Sequence, residues 1–196
     1  MNEQPVATVT PTKFAHAVLR TRGRFDEMVA WYQVVLNARI VAQAPHMAFL
    51  TYDDEHHRIA IVSAPQASPH DPDSDGLDHL SFTYSGLADL LATHTRLKMS
   101  GIEPFCPVNH GPTTSLYYHD PDGNRIELQI DNFADLDQAA ALLNELAAFN
   151  PIGVLVDPDE LAAQLAAGAT EEALVQKTAT EIGPLDPKLV TMILAH

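Results

Sequence analysis

Three side chains from separate parts of the chain have the chemistry of a metal site: His16, His79 and Glu127. Two imidazoles and one carboxylate on one face of a metal leave coordination positions open on the opposite face. This ligand set is typical of non-haem Fe(II) enzymes that bind a substrate and O2 together. Zinc is the rival metal, because a catalytic zinc ion can also take three protein ligands. Since the three residues lie far apart in sequence, the elements that carry them must support the prediction.

Glu127 lies in a stretch whose pattern indicates strand, turn, strand. Residues 116–118 favour a pleated strand, and Asp120-Pro121-Asp122-Gly123-Asn124 combines residues that form tight turns. Residues 125–130 then alternate polar with apolar side chains, which is the period of a half-buried strand. Glu127 therefore faces away from the predicted core face. That core face consists of Ile126, Leu128 and Ile130.

The chain contains an internal repeat, which is visible in the order of its elements more than in its letters. Residues 13–64 predict strand, helix, three strands, and residues 76–131 predict the same order after a proline-rich linker. His16 and His79 are 63 positions apart, and each is predicted to lie within the first strand of its module. The predicted fold is α+β, with two paired βαβββ modules that form an open curved sheet cavity.

The domain organisation follows from where the repeat ends. We predict one domain over residues 12–131 and a helical C-terminal extension over 132–196. Within the extension, Asp157-Pro158-Asp159-Glu160 has the residues of a helix N-terminus, with an aspartate cap and proline in the first turn. The extension offers no candidate chemistry, and we expect it to cover the sheet, cap the cavity or mediate dimerisation.

Composition excludes several classes of partner. The net charge is −15, with 26 acidic against 11 basic residues, which disfavours nucleic acid and anionic membrane surfaces. No apolar run approaches the roughly 20 residues of a membrane span. The single cysteine, Cys106, rules out an internal disulfide and is compatible with the cytoplasm, where we expect the protein.

Three segments resemble the metal motifs of the vicinal oxygen chelate superfamily: Phe14-Ala15-His16, the segment 76–82 around His79, and the segment 120–128 that ends at Leu128. This superfamily holds glyoxalases, bleomycin-resistance proteins and type I extradiol catechol dioxygenases. The resemblance covers about Lys13 to Ile130 and implies that His16, His79 and Glu127 are the metal ligands.

Three further residues resemble those of the extradiol branch. His57, at the start of the strand predicted over residues 57–63 before the linker, matches a histidine that faces the O2 site. His110 matches a histidine that is followed by glycine in the loop before the hairpin. Tyr117, four positions before Pro121, matches a tyrosine of that branch. The resemblance implies that His57 donates and accepts protons, and that His110 and Tyr117 bind a substrate oxygen.

The resemblance thus implies a non-haem Fe(II) extradiol dioxygenase, with Mn(II) as an open alternative. It would cleave a catechol-type diol, such as a 2,3-dihydroxybiphenyl, and incorporate both atoms of O2. The chain has two modules, as the smaller single-domain members do, and a homo-oligomer (a dimer or higher) is the expectation.

Two other functions stay open. A metal-dependent lyase or isomerase of the glyoxalase type usually takes a fourth ligand, an acid in the first module at the position matching Glu127. The repeat offset leads to position 64, and residues 59–65 contain no acid. A metal-free binding protein of the bleomycin-resistance kind would not need His16, His79 and Glu127 together.

Overall fold

The computed structural model describes residues 10–69, 71 and 75–194, and it divides into two compact units between Ser68 and Pro69. Outside this description lie residues 1–9, the linker positions 70 and 72–74, and residues 195–196 at the end of the extension. The described residues form a four-stranded sheet, a five-stranded sheet and helices, which confirms the predicted α+β class. In this part of the chain, no helix is long and apolar enough to cross a lipid bilayer.

The first unit has the predicted order of elements. These are β1 (Ala17–Thr21), α1 (Phe25–Val35), β2 (Arg39–Ala44), β3 (Met47–Thr51) and β4 (Ile59–Ser63). The sheet order is β1-β4-β3-β2, with β1 parallel to β4 and the remaining neighbours antiparallel. Helix α1 contacts β3 and β4 through its apolar stripe. The buried residues of that stripe are Met28, Val29, Tyr32 and Val35.

Two strands of this unit begin later than the sequence predicts, and both corrections concern candidate site residues. β1 starts at Ala17, so His16 lies one position before the strand instead of in its middle. β4 starts at Ile59, so His57 lies in the loop before it. The parallel pairing of β1 with β4 explains both late starts, because Ala17 pairs with Ile59 and each strand begins where its partner does.

Arg58 holds the segment upstream of β1 in place of a ladder. Its Nη1 atom donates to the carbonyl oxygens of Phe14 (2.6 Å) and Ala15 (3.1 Å). Its Nε atom donates to the carboxylate of Asp53 (2.9 Å). The backbone carbonyls before His16 are therefore bound by a side chain, which an apolar sequence pattern does not indicate.

The second unit repeats the order of the first. Its elements are β5 (His79–Thr83), α2 (Leu87–Met99), β6 (Cys106–Asn109), β7 (Thr113–His119) and β8 (Arg125–Asp131). β5 is parallel to β8, as β1 is to β4, and the sheet order is β5-β8-β7-β6-β9, in which β9 spans Val154–Leu155. The fifth strand, β9, comes from the C-terminal extension.

Asp120 organises the turn between β7 and β8. Its Oδ1 atom accepts from the backbone N–H groups of Asp122 (3.0 Å) and Asn124 (2.9 Å). Its Oδ2 atom accepts from the side-chain Nδ2 of Asn124 (2.7 Å). Gly123 has φ +89°, a conformation that favours glycine. The turn chemistry that the sequence predicts is thus confirmed, and it fixes the register that places Glu127.

The extension packs with the second unit. Its elements are α3 (Leu136–Leu146), β9 (Val154–Leu155), α4 (Pro158–Ala166), α5 (Glu171–Val175), α6 (Ala179–Ile182) and α7 (Pro187–Leu194). Asp157 caps α4 as predicted, since its side chain accepts from the N–H groups of Asp159 and Glu160. The sequence patterns predict neither β9, which pairs with β6, nor the single turn of α6.

β8 is buried on both faces, which corrects the prediction of a half-buried strand. Ile126 and Leu128 on the core face are fully buried, as predicted, but Glu127 on the other face is also only 5% exposed. Helix α2 contacts β8. Leu189 of α7 belongs to an apolar cluster with Tyr117 of the neighbouring strand β7. The extension therefore covers part of the sheet face that carries Glu127.

Helix α2 begins with an unusual cap. Gly86 at the N-cap has no side chain to accept from the first turn, and the carboxylate of Glu171 in α5 takes that place. Its two oxygens accept from the N–H groups of Leu87 (2.8 Å) and Ala88 (3.0 Å). A Cβ atom at position 86 would lie 2.8 Å from Glu171 Oε2, so glycine leaves room for the cap.

Replacing Glu171 with glutamine should therefore destabilise the protein. The variant loses a charged acceptor at the positive end of α2, and caps of this kind contribute about 0.5–2 kcal/mol. The measurement is the free energy of unfolding in urea. Glu172→Gln, an exposed neighbour in the same helix, is the matched control. Equal stability of the two variants would contradict the capping role.

Candidate active site

The second sheet presents a polar face that is built by its register. Glu127 in β8 lies opposite Ser81 of β5 on one side and Tyr117 of β7 on the other. Side chains of directly paired residues point to the same face of a sheet. His79, two positions before Ser81, shares this face, and the predicted orientation of Glu127 away from the core face is confirmed.

His79 and Glu127 contact each other on this face. His79 Nε2 lies 3.2 Å from Glu127 Oε2. Glu127 is nearly buried, whereas the side chain of His79 is 34% exposed. A buried carboxylate requires a charge partner or a metal, because burial of an unpaired charge is costly. A carboxylate and an imidazole nitrogen at this separation are two donors that could bind the same cation.

The protonation states of the pair follow from this contact. The carboxylate of Glu127 raises the pKa of His79 to about 9, which outweighs partial burial. Burial alone would raise the pKa of Glu127, but His79 and nearby hydroxyl groups lower it to about 2. Without a metal, the pair is therefore an ion pair at neutral pH, and metal binding to Nε2 would require His79 to lose its proton.

The metal-free protein should show the pH dependence of this pair. Because the folded-state pKa of His79 lies above its ordinary value of 6.5, its contribution to stability is complete below pH 6.5 and is lost as the pH rises through about 9. Because the pKa of Glu127 lies below 4.5, its contribution is complete above pH 4.5 and is lost as the pH falls through about 2. The stability advantage of the pair is thus greatest between those two ordinary values.

The measurement is the difference in melting temperature between wild type and His79→Gln from pH 4 to pH 10, with chelator present. We expect the difference to be largest in the window above and to shrink toward pH 10. His46→Gln, which changes an exposed histidine of the first unit, should give no such profile. A constant difference across the range would contradict the ion pair.

Asp78 orients His79, and sequence reasoning assigned it no role. Its Oδ2 atom accepts from His79 Nδ1 (2.6 Å), and its Oδ1 atom accepts from Arg125 Nη1 (3.0 Å). A carboxylate on one ring nitrogen fixes the other nitrogen toward a metal. The available signal was the Asp78-His79 dipeptide, but neighbouring residues of a strand point to opposite faces. The contact is made because β5 begins at His79, so Asp78 lies before the strand.

His110 and Tyr117 form a second contact beside Glu127. His110 Nδ1 donates to the carbonyl oxygen of Ile152, so Nε2 is free to accept from Tyr117 Oη at 3.1 Å. His110 Nε2 lies 4.0 Å from Glu127 Oε1. Burial lowers the pKa of His110, and burial together with Glu127 raises the pKa of Tyr117. The imidazole is therefore neutral and the phenol protonated at neutral pH.

The first unit brings its own two candidates together. The ring centroids of His16 and His57 are 4.3 Å apart, and the ring of Phe49 lies 5.0 Å from that of His57. Partial burial and the neighbouring imidazoles of His16 and His56 lower the pKa of His57. Each unit thus assembles its share of the predicted site residues. Within either unit alone, the described residues hold no group of three metal-binding side chains.

A profile of the Glyoxalase/Bleomycin resistance protein/Dioxygenase superfamily matches residues 13–128. The chain belongs to this superfamily. The matched range contains the first βαβββ module and the second as far as Leu128 in β8, and the family that the sequence motifs indicate is confirmed. A superfamily domain from Frankia sp. EAN1pec has a similar fold, with a TM-score of 0.52 and 20% identity over 62% of this chain and 99% of that domain.

Two proteins from Rhodococcus globerulus are similar to this chain over most of their length. Biphenyl-2,3-diol 1,2-dioxygenase 2 is 49% identical over 164 residues, which cover 82% of this chain and 85% of that protein. Biphenyl-2,3-diol 1,2-dioxygenase 3 is 43% identical over 173 residues, which cover 87% of this chain and 90% of that protein. The similarity therefore extends beyond the superfamily domain into the helical extension.

Proposed function

We propose that the protein is an Fe(II)-dependent extradiol dioxygenase. It opens the ring of a catechol-type diol, such as 2,3-dihydroxybiphenyl, next to the diol and incorporates both atoms of O2. The observation that carries this assignment is the connected group of His79, Glu127, His110 and Tyr117 on the polar face of the second sheet. The two Rhodococcus relatives, whose names specify biphenyl-2,3-diol as substrate, support the same reaction.

We assign His16, His79 and Glu127 as the metal ligands. Two imidazoles and a carboxylate suit Fe(II) and also Mn(II). The contact between His79 and Glu127, and the fixed orientation of His79, fit this set. The third ligand comes from the first unit in this assignment. When bound, Fe(II) supplies positive charge that favours the ionised diol and a path for electrons from diol to O2.

His110 and Tyr117 are assigned to the substrate. The neutral Nε2 of His110 and the hydroxyl of Tyr117 offer one acceptor and one donor, which can exchange their mutual hydrogen bond for bonds to a diol oxygen. Because the carbonyl of Ile152 fixes the tautomer of His110, this ring accepts a proton at Nε2. His110 can therefore take the proton of a binding diol.

His57 is assigned to the O2 side of the site as proton donor and acceptor. Its lowered pKa leaves the imidazole neutral near pH 7, where it can accept a proton and return it. Its ring lies against that of the proposed ligand His16, so it is next to the metal in this assignment.

A lyase or isomerase of the glyoxalase type is less well supported. Its fourth ligand would come from the end of the first module, and residues 59–63 there form β4 with no acidic side chain. A metal-free binding protein is also less well supported, because it would not need His16, His79 and Glu127 together.

Oxygen uptake tests the proposed activity. Protein reconstituted with Fe(II) under anaerobic conditions is mixed with O2 and catechol, 3-methylcatechol or 2,3-dihydroxybiphenyl. We expect O2 consumption with a yellow ring-opened product, fastest for 2,3-dihydroxybiphenyl. Protein that is loaded with iron but consumes no O2 with any of these diols would contradict the proposal.

A further inference from the structure

We propose that the C-terminal helix α7 is a positioning element of the metal centre, which acts on His79 through Arg125 and Asp78. This inference rests on the proposed function, because it takes His79 as a metal ligand. It gives the helical extension a role in the site, whereas the sequence alone indicates only a cover, a cap or a dimer contact.

A continuous chain of polar contacts joins α7 to His79. His79 Nδ1 donates to one carboxylate oxygen of Asp78 (2.6 Å), and Arg125 Nη1 donates to the other (3.0 Å). Arg125 Nη2 donates to the backbone carbonyl of Ile193 in the last turn of α7. The carboxyl end of a helix carries partial negative charge and favours a cation. Arg125 is only 9% exposed, so solvent screens its bond to the helix end little.

Apolar contacts place the same helix against Tyr117. Leu189 is fully buried in a cluster with Cys106, Val108 and Tyr117. Met192 and Ile193 are partly buried against this cluster. The helix thus packs on the sheet face that carries the proposed substrate-binding tyrosine, and its end is bonded to the arginine that holds Asp78.

The length of α7 makes its docking conditional. It has eight residues, and an isolated helix shorter than about 12–15 residues is only marginally stable in water. Packing on the sheet and the bond from Arg125 must therefore maintain the helix. When α7 is docked, the Arg125 guanidinium is fixed, Asp78 is fixed by it, and the His79 ring is held with Nε2 toward Glu127.

Metal affinity measures this positioning without any turnover. Co(II) is titrated into chelator-treated protein against a competing chelator, for wild type, Asp78→Asn and Arg125→Lys. We expect Asp78→Asn to weaken Co(II) binding by roughly 10–100-fold, the usual effect of removing a carboxylate that orients a ligand histidine. Arg125→Lys should weaken Co(II) binding by roughly 10-fold. A lysine has one ammonium group, which cannot reproduce the separate bonds of the two Arg125 Nη atoms to Asp78 and to the helix carbonyl.

Lys188→Gln is the matched control, because it removes an exposed cation from α7 without touching the Arg125 bonds. It should bind Co(II) within about twofold of wild type, a change of only ~0.4 kcal/mol. The Asp78 side chain is 60% exposed, so its replacement by asparagine should leave the fold intact, which circular dichroism can check.

Reciprocity gives a second readout. If docked α7 strengthens metal binding, bound metal must strengthen docking by the same factor. The rate of trypsin cleavage after Lys188 reports the fraction of molecules in which α7 is undocked, provided that the helix redocks faster than trypsin cleaves. Saturating Co(II) should slow this cleavage in wild type, and should have little effect in Asp78→Asn.

The outcomes separate the two proposals. Co(II) affinities of Asp78→Asn and Arg125→Lys within twofold of wild type, or cleavage that Co(II) does not slow, would overturn the role of α7. A wild type that binds no Co(II) would overturn both proposals. Protein that shows the predicted Co(II) dependence, yet consumes no O2 when loaded with Fe(II), would overturn the dioxygenase activity alone.

Discussion

Replacing Glu127 with glutamine is expected to remove both the metal and the activity. Glutamine has nearly the same shape but no charge, so a bound metal would lose its anionic ligand and the buried charge pair that it forms with the carboxylate. Breaking a buried charge pair costs about 3–5 kcal/mol, and each 1.4 kcal/mol is a factor of ten. We therefore expect Fe(II) affinity and kcat/KM to fall by roughly 10²–10³-fold.

The measurements are the iron content after anaerobic reconstitution and the rate of O2 uptake. Asp131→Asn removes a carboxylate from the exposed end of the same strand and is the matched control. It should retain iron and activity at wild-type levels. A Glu127→Gln variant with normal iron content and normal turnover would exclude Glu127 as a ligand.

The second large effect is expected for His57→Ala, which should lose turnover but keep its metal. His57 is assigned to proton transfer and not to the ligand set, and a general acid–base group contributes about 10²–10⁴-fold to rate. We expect kcat to fall by that order while iron content stays within about twofold of wild type.

His56→Ala is the control for this variant. His56 is the exposed neighbour of His57, and their Nδ1 atoms lie 2.6 Å apart. Its loss removes a similar ring and that contact but no assigned proton carrier, so kcat should stay within a few-fold of wild type. Normal turnover in His57→Ala, or equal losses in both variants, would remove His57 from the mechanism.

The features predicted correctly from sequence are those that local chemistry encodes. Helix α2 spans Leu87–Met99, the range that the helical spacing of its apolar residues predicts. The turn before Glu127 forms because aspartate, asparagine and glycine satisfy its backbone groups locally. Glu127 lies on the face opposite the core face because successive side chains of a strand point to opposite faces, and polar and apolar residues alternate along β8.

The features that sequence missed depend on partners remote in the chain. β1 and β4 begin together because they are hydrogen-bonded to each other, so the first residue of neither strand is encoded locally. The burial of Glu127 and the bond from Arg125 to Ile193 depend on where the extension returns to the sheet. Periodicity describes one segment at a time, and these contacts join segments up to 68 positions apart.

The most direct test of the central assignment is the fate of isotopically labelled O2. Protein loaded with Fe(II) is given 2,3-dihydroxybiphenyl under labelled O2, and the yellow product is analysed by mass spectrometry within seconds, before exchange with water. The proposed activity predicts a ring-opened product that carries two labelled oxygen atoms, both from one O2 molecule. A product with one labelled atom, or an unopened ring, would contradict extradiol dioxygenation by this protein.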